Sequence, residues 1–315
     1  MTRKYLFVFL LLMPNIFFAQ IAASANDKII YLDSLWNPVT NGDFKYYRIV
    51  KDYHLDKEEY RFEDHFATGK IQMEGNSITK DNLSPIGDFV YYFENGNKKF
   101  TYFYRKGQPM GKAVEWYENG NKKAEREYTQ DDEEHTSEYK TLQFWNEKNV
   151  QTVVDGNGEL GDSDEHSSES GKIKDGEKDG VWNGKSTRFK SSYTEFYESG
   201  KLKSGTSIDS LSKEHKYNKV FVQPRPKNGL NDFYGYIARK FRIPASARGI
   251  SGRIYLQFII KEDGSIEKVK VLRSAGYGLD EEAIRLISEY PDWSSGEIRG
   301  IKAKVLYSIP ITIKA

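Results

Sequence analysis

The pattern of hydrophobic and polar positions changes near residue 218. Before this point, short aromatic runs alternate with Asn-Gly or Ser-Gly pairs and Lys-rich segments, whereas after it two helical patterns are interleaved with three strand patterns. A period of two predicts strands and a period of 3.6 predicts helices. We therefore predict a mainly β array of stacked hairpins over residues 26–217, followed by an α+β domain over residues 218–315.

An internal repeat defines the first region. Residues 91–99 recur 24 residues later as residues 115–123, and weaker copies begin at His65, Phe144 and Phe196. Each copy has an aromatic strand, a turn and a second, Lys-rich strand. Asn-Gly tolerates positive φ at both turn positions and is therefore a strong hairpin signal. A lone hairpin is marginal in water, but stacked hairpins bury their aromatic faces against one another.

The aromatic stripe of these repeats has two interpretations. We predict that the rings pack between units, and a platform for glycan or lipid is the alternative. The lysines after the turns are expected to form a solvated face that discourages edge pairing; they are Lys98, Lys99, Lys122 and Lys123.

These repeats resemble the MORN-type repeat, in a variant found in many bacterial envelope proteins. The resemblance extends over about residues 44–217 and implies a repetitive β-structure with an interaction role, but no reaction. Residues 155–170 interrupt the pattern and are predicted to be a solvated acidic loop. A calcium loop is rejected there because Leu160 and His166 replace the required Gly and Glu.

The second region reads as helix, strand, strand, helix, strand. The first helix presents Leu230, Phe233, Ile237 and Phe241 on one face and is expected to end at Pro244. Strands are predicted over Gly252–Ile260, Ile266–Arg273 and residues 302–314, with a turn at Asp263-Gly264 and a second helix capped by Asp280. This order predicts two helices on one face of a three-stranded antiparallel sheet.

The residue string of this region resembles the C-terminal domain of TonB, the energy transducer of the Gram-negative envelope. The matching residues are Gln223-Pro224, Phe233-Tyr234, Ile237-Ala238, Pro244-Ala245, residues 247–252, 263–266 and 278–283, Trp293, and residues 309–311. Two features depart from the family. Trp293 is followed by Ser-Ser-Gly rather than Pro-Gly, and a hairpin array stands where TonB has a membrane helix and a Pro-rich spacer.

The resemblance implies strand addition at the last strand of the sheet. An extended peptide can pair with an exposed sheet edge through backbone hydrogen bonds, and side-chain pockets then give selectivity. The expected partner-binding residues are Lys302, Ala303, Lys304, Val305, Leu306, Tyr307 and Ser308. Pro310 agrees with an edge position because it lacks a ladder donor. Lys302 and Lys304 either steer an acidic peptide or only prevent unwanted pairing, and both interpretations stay open.

The N-terminal residues have the pattern of an export signal. Arg3 and Lys4 precede an apolar run from residue 5 to residue 19, and small residues end at Ala25. This arrangement predicts a signal peptide over residues 1–25, with an uncleaved anchor as the alternative. We expect a protein that is secreted across the inner membrane and is periplasmic or associated with the outer membrane.

The composition and charge of the chain exclude several classes of function. The chain has no cysteine, which excludes disulfides, thiol nucleophiles and a lipidated Cys. Residues 220–315 have a net charge of +6 and the remainder −5, and the positive charge is too dispersed for nucleic-acid binding. The histidines are scattered and no catalytic motif is present, so we expect no enzyme, cofactor or metal.

The expected function is binding of protein partners, such as a TonB-dependent outer-membrane receptor, by strand addition. An envelope scaffold whose MORN-like repeats make the functional contact with a protein or membrane is the alternative. Peripheral membrane association and a homodimer stay open.

Overall fold

The computed structural model describes residues 23–40, 42–131, 136–291 and 293–313 and divides into two compact units, residues 1–151 and residues 152–315. All but the last three residues of the predicted signal peptide lie outside the described residues. Within the described ranges, neither helix has the length and apolar character that a membrane span requires. The predicted boundary between residues 217 and 218 stays a prediction.

The first unit is a series of antiparallel strands in which each strand pairs with the next. The short β7 extends the turn between β6 and β8, which also pair with each other. The strands are β1 (Lys28–Leu32), β2 (Tyr46–Val50), β3 (Tyr60–Phe66), β4 (Ile71–Ser77), β5 (Pro85–Tyr92), β6 (Lys98–Arg105), β7 (Gln108–Pro109), β8 (Gly111–Trp116), β9 (Lys122–Asp131) and β10 (Thr136–Trp145).

The hairpin pattern continues in the second unit, again with antiparallel neighbours. Its strands are β12 (Asn157–Ser163), β13 (Ser167–Lys174), β14 (Glu177–Ser186), β15 (Ser191–Glu198), β16 (Lys201–Ile208) and β17 (Glu214–Tyr217), and β11 (Gln151–Val154) begins at the boundary. The prediction of stacked hairpins is confirmed.

The predicted acidic loop over residues 155–170 is wrong, because β12 and β13 occupy most of it. Leu160 and Ile173 are buried and give this hairpin its inward face. The Asp164 carboxylate closes the turn by accepting the backbone N–H groups of His166 and Ser167, each at 2.7 Å.

Two kinds of turn close the hairpins. The Asn95-Gly96 turn is a three-residue loop in which only Gly96 has a positive φ, 96°, and the backbone N–H of Phe93 donates to the oxygen of Asn97 at 2.8 Å. Such a loop ends in a glycine bulge, so the expectation of positive φ at both positions is wrong there. At Ser199-Gly200 both residues have positive φ, 46° and 73°, as a two-residue hairpin requires.

Large rings lie on glycines of neighbouring strands. Trp182 in β14 is fully buried and is opposite Gly171 in β13, where an added Cβ would lie 2.5 Å from the ring. The rings of Tyr193 and Tyr217 cover Gly184 and Gly205 in the same way. Because a glycine leaves room for a ring, a sheet can bury aromatic side chains against its own neighbouring strands.

The lysines after the turns cover aromatic rings. The Lys122 ammonium lies 5.2 Å from the ring centre of Trp145, and the Lys123 ammonium lies 5.6 Å from that of Tyr117. The Lys123 side chain is 13% exposed and its Nζ is 3.0 Å from the Glu115 carboxylate. The prediction of a solvated face is therefore wrong for Lys123, because cation–π and ionic contacts hold it against the sheet.

The C-terminal region has two helices and three small sheets. Its elements are β18 (Phe221–Val222), β19 (Arg225–Pro226), α1 (Leu230–Lys240), a 3₁₀ turn (Ala245–Ala247), β20 (Gly252–Ile260), β21 (Ile266–Arg273), α2 (Leu279–Glu289), β22 (Trp293–Ser294), β23 (Gly296–Ile298), β24 (Ile301–Ala303) and β25 (Val305–Ile313). The largest sheet has the order β21–β20–β25, β18–β23–β24 form a second, and β19–β22 a third.

The predicted strand alternation is confirmed in β20. Its residues 254, 256, 258 and 260 are fully buried, as are Phe233 of α1 and Leu279 and Leu286 of α2. Together these side chains form one core between the helices and the sheet.

Four predicted details of this region are wrong. The first helix ends at Lys240 rather than near Pro244, and Leu230 is exposed. Gly278 occupies the N-cap of α2, while Asp280 accepts the backbone N–H of Ala275 at 3.0 Å, which holds the preceding loop instead. The final strand is broken at Lys304, before which β24 pairs with β23 and after which β25 pairs with β20.

Candidate docking edge

β25 has one neighbour in its sheet. All nine of its residues pair with β20 without a register shift, from Val305 opposite Ile260 to Ile313 opposite Gly252. Among the described strands, none pairs with its other side. The second edge of β25 is therefore unpaired.

Pro310 identifies which residues face this edge. It is opposite Tyr255, has no N–H, and its carbonyl oxygen lies 3.4 Å from the Tyr234 hydroxyl that donates to it. Because antiparallel pairs alternate between hydrogen-bonded and non-hydrogen-bonded types, residues of the same parity share this outward direction. The backbone N–H and C=O groups of Leu306 and Ser308 therefore point away from β20.

A groove runs along the same edge. It has a volume of about 340 Å³ and is bounded on one side by residues 305–308 and on the other by Phe221, Gln223 and Pro224. Phe221 is 45% exposed and Leu306 is 60% exposed. The groove thus combines unpaired backbone groups with two accessible apolar side chains.

Short range packing fixes the two walls of the groove. A Cβ on Gly296 would lie 3.2 Å from Pro224 and would clash with Val305. This glycine therefore lets the segment that contains Pro224 and the start of β25 approach each other. Tyr307 packs on the other side of β25, with its ring centre 5.2 Å from that of the buried Trp293. Burial raises the pKa of the Tyr307 hydroxyl, which stays neutral in this apolar contact.

The seven predicted partner-binding residues are not on one strand. Lys302 and Ala303 lie in β24, opposite Glu297 and Gly296 of β23. Lys304 lies between the strands, and its Nζ is 3.8 Å from a Glu267 carboxylate oxygen.

The other four predicted residues, Val305, Leu306, Tyr307 and Ser308, lie in β25 and line the groove. Of these four residues, only Leu306 and Ser308 have backbone N–H and C=O groups that point away from β20. That any of the seven binds a partner stays a prediction.

Sequence reasoning missed the opposite wall of the groove. Gln223-Pro224 enters the prediction only as part of the family resemblance, and Phe221 is not predicted. An aromatic residue two positions before Gln223-Pro224 was the available signal, but its position across from residue 306 depends on pairing between β18 and β23. Among the described residues, no group of three or more His, Asp or Glu side chains is placed to hold a metal ion.

Comparison with known proteins gives one family match. No curated protein matches the chain. Members of the matched family are energy transducers of the Gram-negative envelope and not enzymes. The matched segment contains β20, β21, α2 and β25, so it includes the strand with the free edge. Residues 240–314 match the Gram-negative bacterial TonB protein C-terminal family, which supports a TonB-like envelope protein.

Proposed function

We propose that the protein binds an extended segment of an envelope protein by strand addition at the free edge of β25. The observation that supports this proposal best is the outward direction of the backbone groups of Leu306 and Ser308 along a groove. The partner expected from the family match is a TonB-dependent outer-membrane receptor. Binding would need no catalytic group.

The groove defines a short footprint. Two outward residues offer about four backbone hydrogen bonds, each with a net contribution of about 1 kcal/mol, which alone corresponds to a Kd on the order of 1 mM. An apolar side chain of the peptide against Phe221 and Leu306 would add affinity. Pro310 and the Tyr234 hydroxyl end the row of free groups on one side.

The experiment is an NMR titration of the full chain with synthetic peptides copied from the N-terminal segments of outer-membrane receptors of the same bacterium. We expect amide shifts concentrated in residues 302–308, largest at 306 and 308, and no comparable shifts with a scrambled peptide. Absence of shifts at millimolar peptide would overturn the proposal.

A second candidate function is a scaffold in which the MORN-like hairpins make the contact. Val181 and Phe196 are opposite each other on β14 and β15 and are 56% and 42% exposed, which favours a contact on the array. Crosslinking in cells separates the two functions. A partner that is lost from a V181S/F196S variant but retained by a Ser308→Pro variant would assign the contact to the array.

A further inference from the structure

Carboxylates with little exposure recur in the hairpins: the side chains of Asp64 and Glu195 are buried and that of Glu115 is 12% exposed. Each is paired with a guanidinium group beside an aromatic ring. Asp64 in β3 is 1% exposed and accepts two hydrogen bonds from Arg48 in β2, at 2.7 and 2.8 Å. Glu115 in β8 pairs with Arg126 in β9. In both cases a neighbouring strand supplies the cation, because an unpaired buried carboxylate would be strongly destabilising.

The third carboxylate, Glu195 in β15, obtains its cation from far along the chain. Its side chain is fully buried, and its neighbours on β14 and β16 are Trp182 and Gly205, which have no charge. Its Oε1 accepts the Nε–H of Arg299 at 2.9 Å. Arg299 lies in the turn between β23 and β24, in the C-terminal region.

The groups around Glu195 are suited to bind a guanidinium group. The hydroxyls of Tyr217 and Tyr197 donate to its two oxygens at 2.8 and 3.1 Å. The guanidinium carbon of Arg299 lies 3.6 Å from the ring centre of Tyr193, in cation–π contact. Burial alone would lower the pKa of Arg299, but the Glu195 carboxylate together with Tyr193 and Tyr217 raises that pKa, so the arginine is charged.

The turn itself does not favour arginine. Arg299 and Gly300 both have positive φ, 51° and 73°, a conformation that suits Gly or Asn and costs another residue about 1 kcal/mol. Arginine therefore stands at this position against local backbone preference. Its contact with Glu195 supplies the compensating interaction.

The same turn holds both walls of the groove. The Arg299 carbonyl accepts the hydroxyl of the buried Ser207 at 2.7 Å, and its N–H donates to the Val220 carbonyl at 2.7 Å, directly before β18. β18 leads into Gln223 and Pro224, and β24 leads into residues 305–308. Fixing this turn therefore fixes the start of each wall.

We propose that the last hairpins of the array form a guanidinium receptor centred on Glu195, which the chain's own Arg299 occupies and which holds the docking groove in shape. The receptor consists of the carboxylate, the two tyrosine hydroxyls and the face of Tyr193. These last hairpins are then a rigid support for the groove rather than a loose tether. The effect on peptide binding rests on the proposed function, whereas the receptor itself does not.

The test is hydrogen exchange of the full chain, followed by mass spectrometry. Arg299→Gly removes the guanidinium but suits the turn, and Glu195→Gln keeps the shape while removing the charge. We expect both variants to speed exchange of residues 218–224 and 296–303 at least about tenfold. Glu198→Gln, an exposed change in the same strand, should have no effect, and unchanged exchange in β20 verifies folding.

Chemical rescue tests the ligand class. Methylguanidinium, but not methylammonium at the same concentration, should restore slow exchange in Arg299→Gly, because only the planar group can stack on Tyr193 and bond the carboxylate. If residues 218–224 and 296–303 exchange no faster in Arg299→Gly than in the natural chain, the proposal of a guanidinium receptor is overturned. Faster exchange in Arg299→Gly with no change in Glu195→Gln would also overturn it.

Peptide affinity gives a separate readout. Arg299→Gly should weaken binding at the β25 edge about fivefold or more, within the usual range for coupled sites. If the natural chain binds no peptide, the proposed function fails, while the exchange experiment still tests the guanidinium receptor at Glu195. If the peptide binds both chains equally although exchange differs, the groove is not held by the Arg299 turn.

Discussion

Ser308→Pro is expected to weaken binding of an extended peptide at least about tenfold while the domain stays folded. The N–H of Ser308 points away from β20, so its loss removes no hydrogen bond within the sheet but removes a donor to the peptide. The proline ring would also obstruct the edge. Pro310, at the same parity in the same strand, indicates that β25 accommodates proline there. Isothermal titration calorimetry with a receptor-derived peptide measures the change.

Two matched variants control this experiment. Ser308→Ala changes the side chain but keeps the N–H, and we expect affinity within about twofold of the natural chain. Thr312→Pro places a proline at the same parity beyond Pro310 and outside the groove, so binding should persist. Equal affinity of Ser308→Pro and Ser308→Ala would show that the peptide does not use this edge.

Trp182→Ala is expected to lower the free energy of unfolding by about 3–5 kcal/mol, the usual cost of removing a fully buried aromatic side chain. The Trp182 ring fills the space above Gly171, and its Nε1–H donates to the Lys172 carbonyl at 3.1 Å. The Lys178 ammonium lies 4.1 Å from the ring centre. Alanine would leave a cavity and would also remove the hydrogen bond to the Lys172 carbonyl. Urea unfolding followed by far-UV circular dichroism gives the difference.

Val181→Ala is the matched control because Val181 is the neighbouring residue on the opposite, exposed face of β14. A change at an exposed site should stay within about 0.5 kcal/mol. If Trp182→Ala loses no more stability than Val181→Ala, then rings on glycines are not what stabilises the hairpins.

The sequence predicts an element well where large apolar residues alternate. In β20 every second residue is apolar and Gly252 and the Asp263-Gly264 turn bracket the run, so both ends of the strand are predicted correctly. In β12 and β13 the only large apolar residues that face inward are Leu160 and Ile173, and glycine, serine and acidic residues take the other inward places. Two apolar residues do not establish a period, which is why a loop was expected there.

The break at Lys304 could not be read from periodicity. Ala303 and Val305 keep the same parity, so the pattern continues although the pairing partner changes from β23 to β20. The change of partner arises because the Arg299-Gly300 turn folds β24 back onto β23. The contact between Arg299 and Glu195 has no local signal either, since 104 residues separate the two.

Intermolecular nuclear Overhauser effects between an isotope-labelled chain and an unlabelled receptor-derived peptide locate a bound peptide directly. If the peptide adds a strand to β25, its Hα and amide protons should show cross-strand contacts to the amides of Leu306 and Ser308, with peptide side chains near Phe221. A bound peptide whose contacts lie elsewhere, with the two amides still exchanging freely with water, would contradict strand addition at β25.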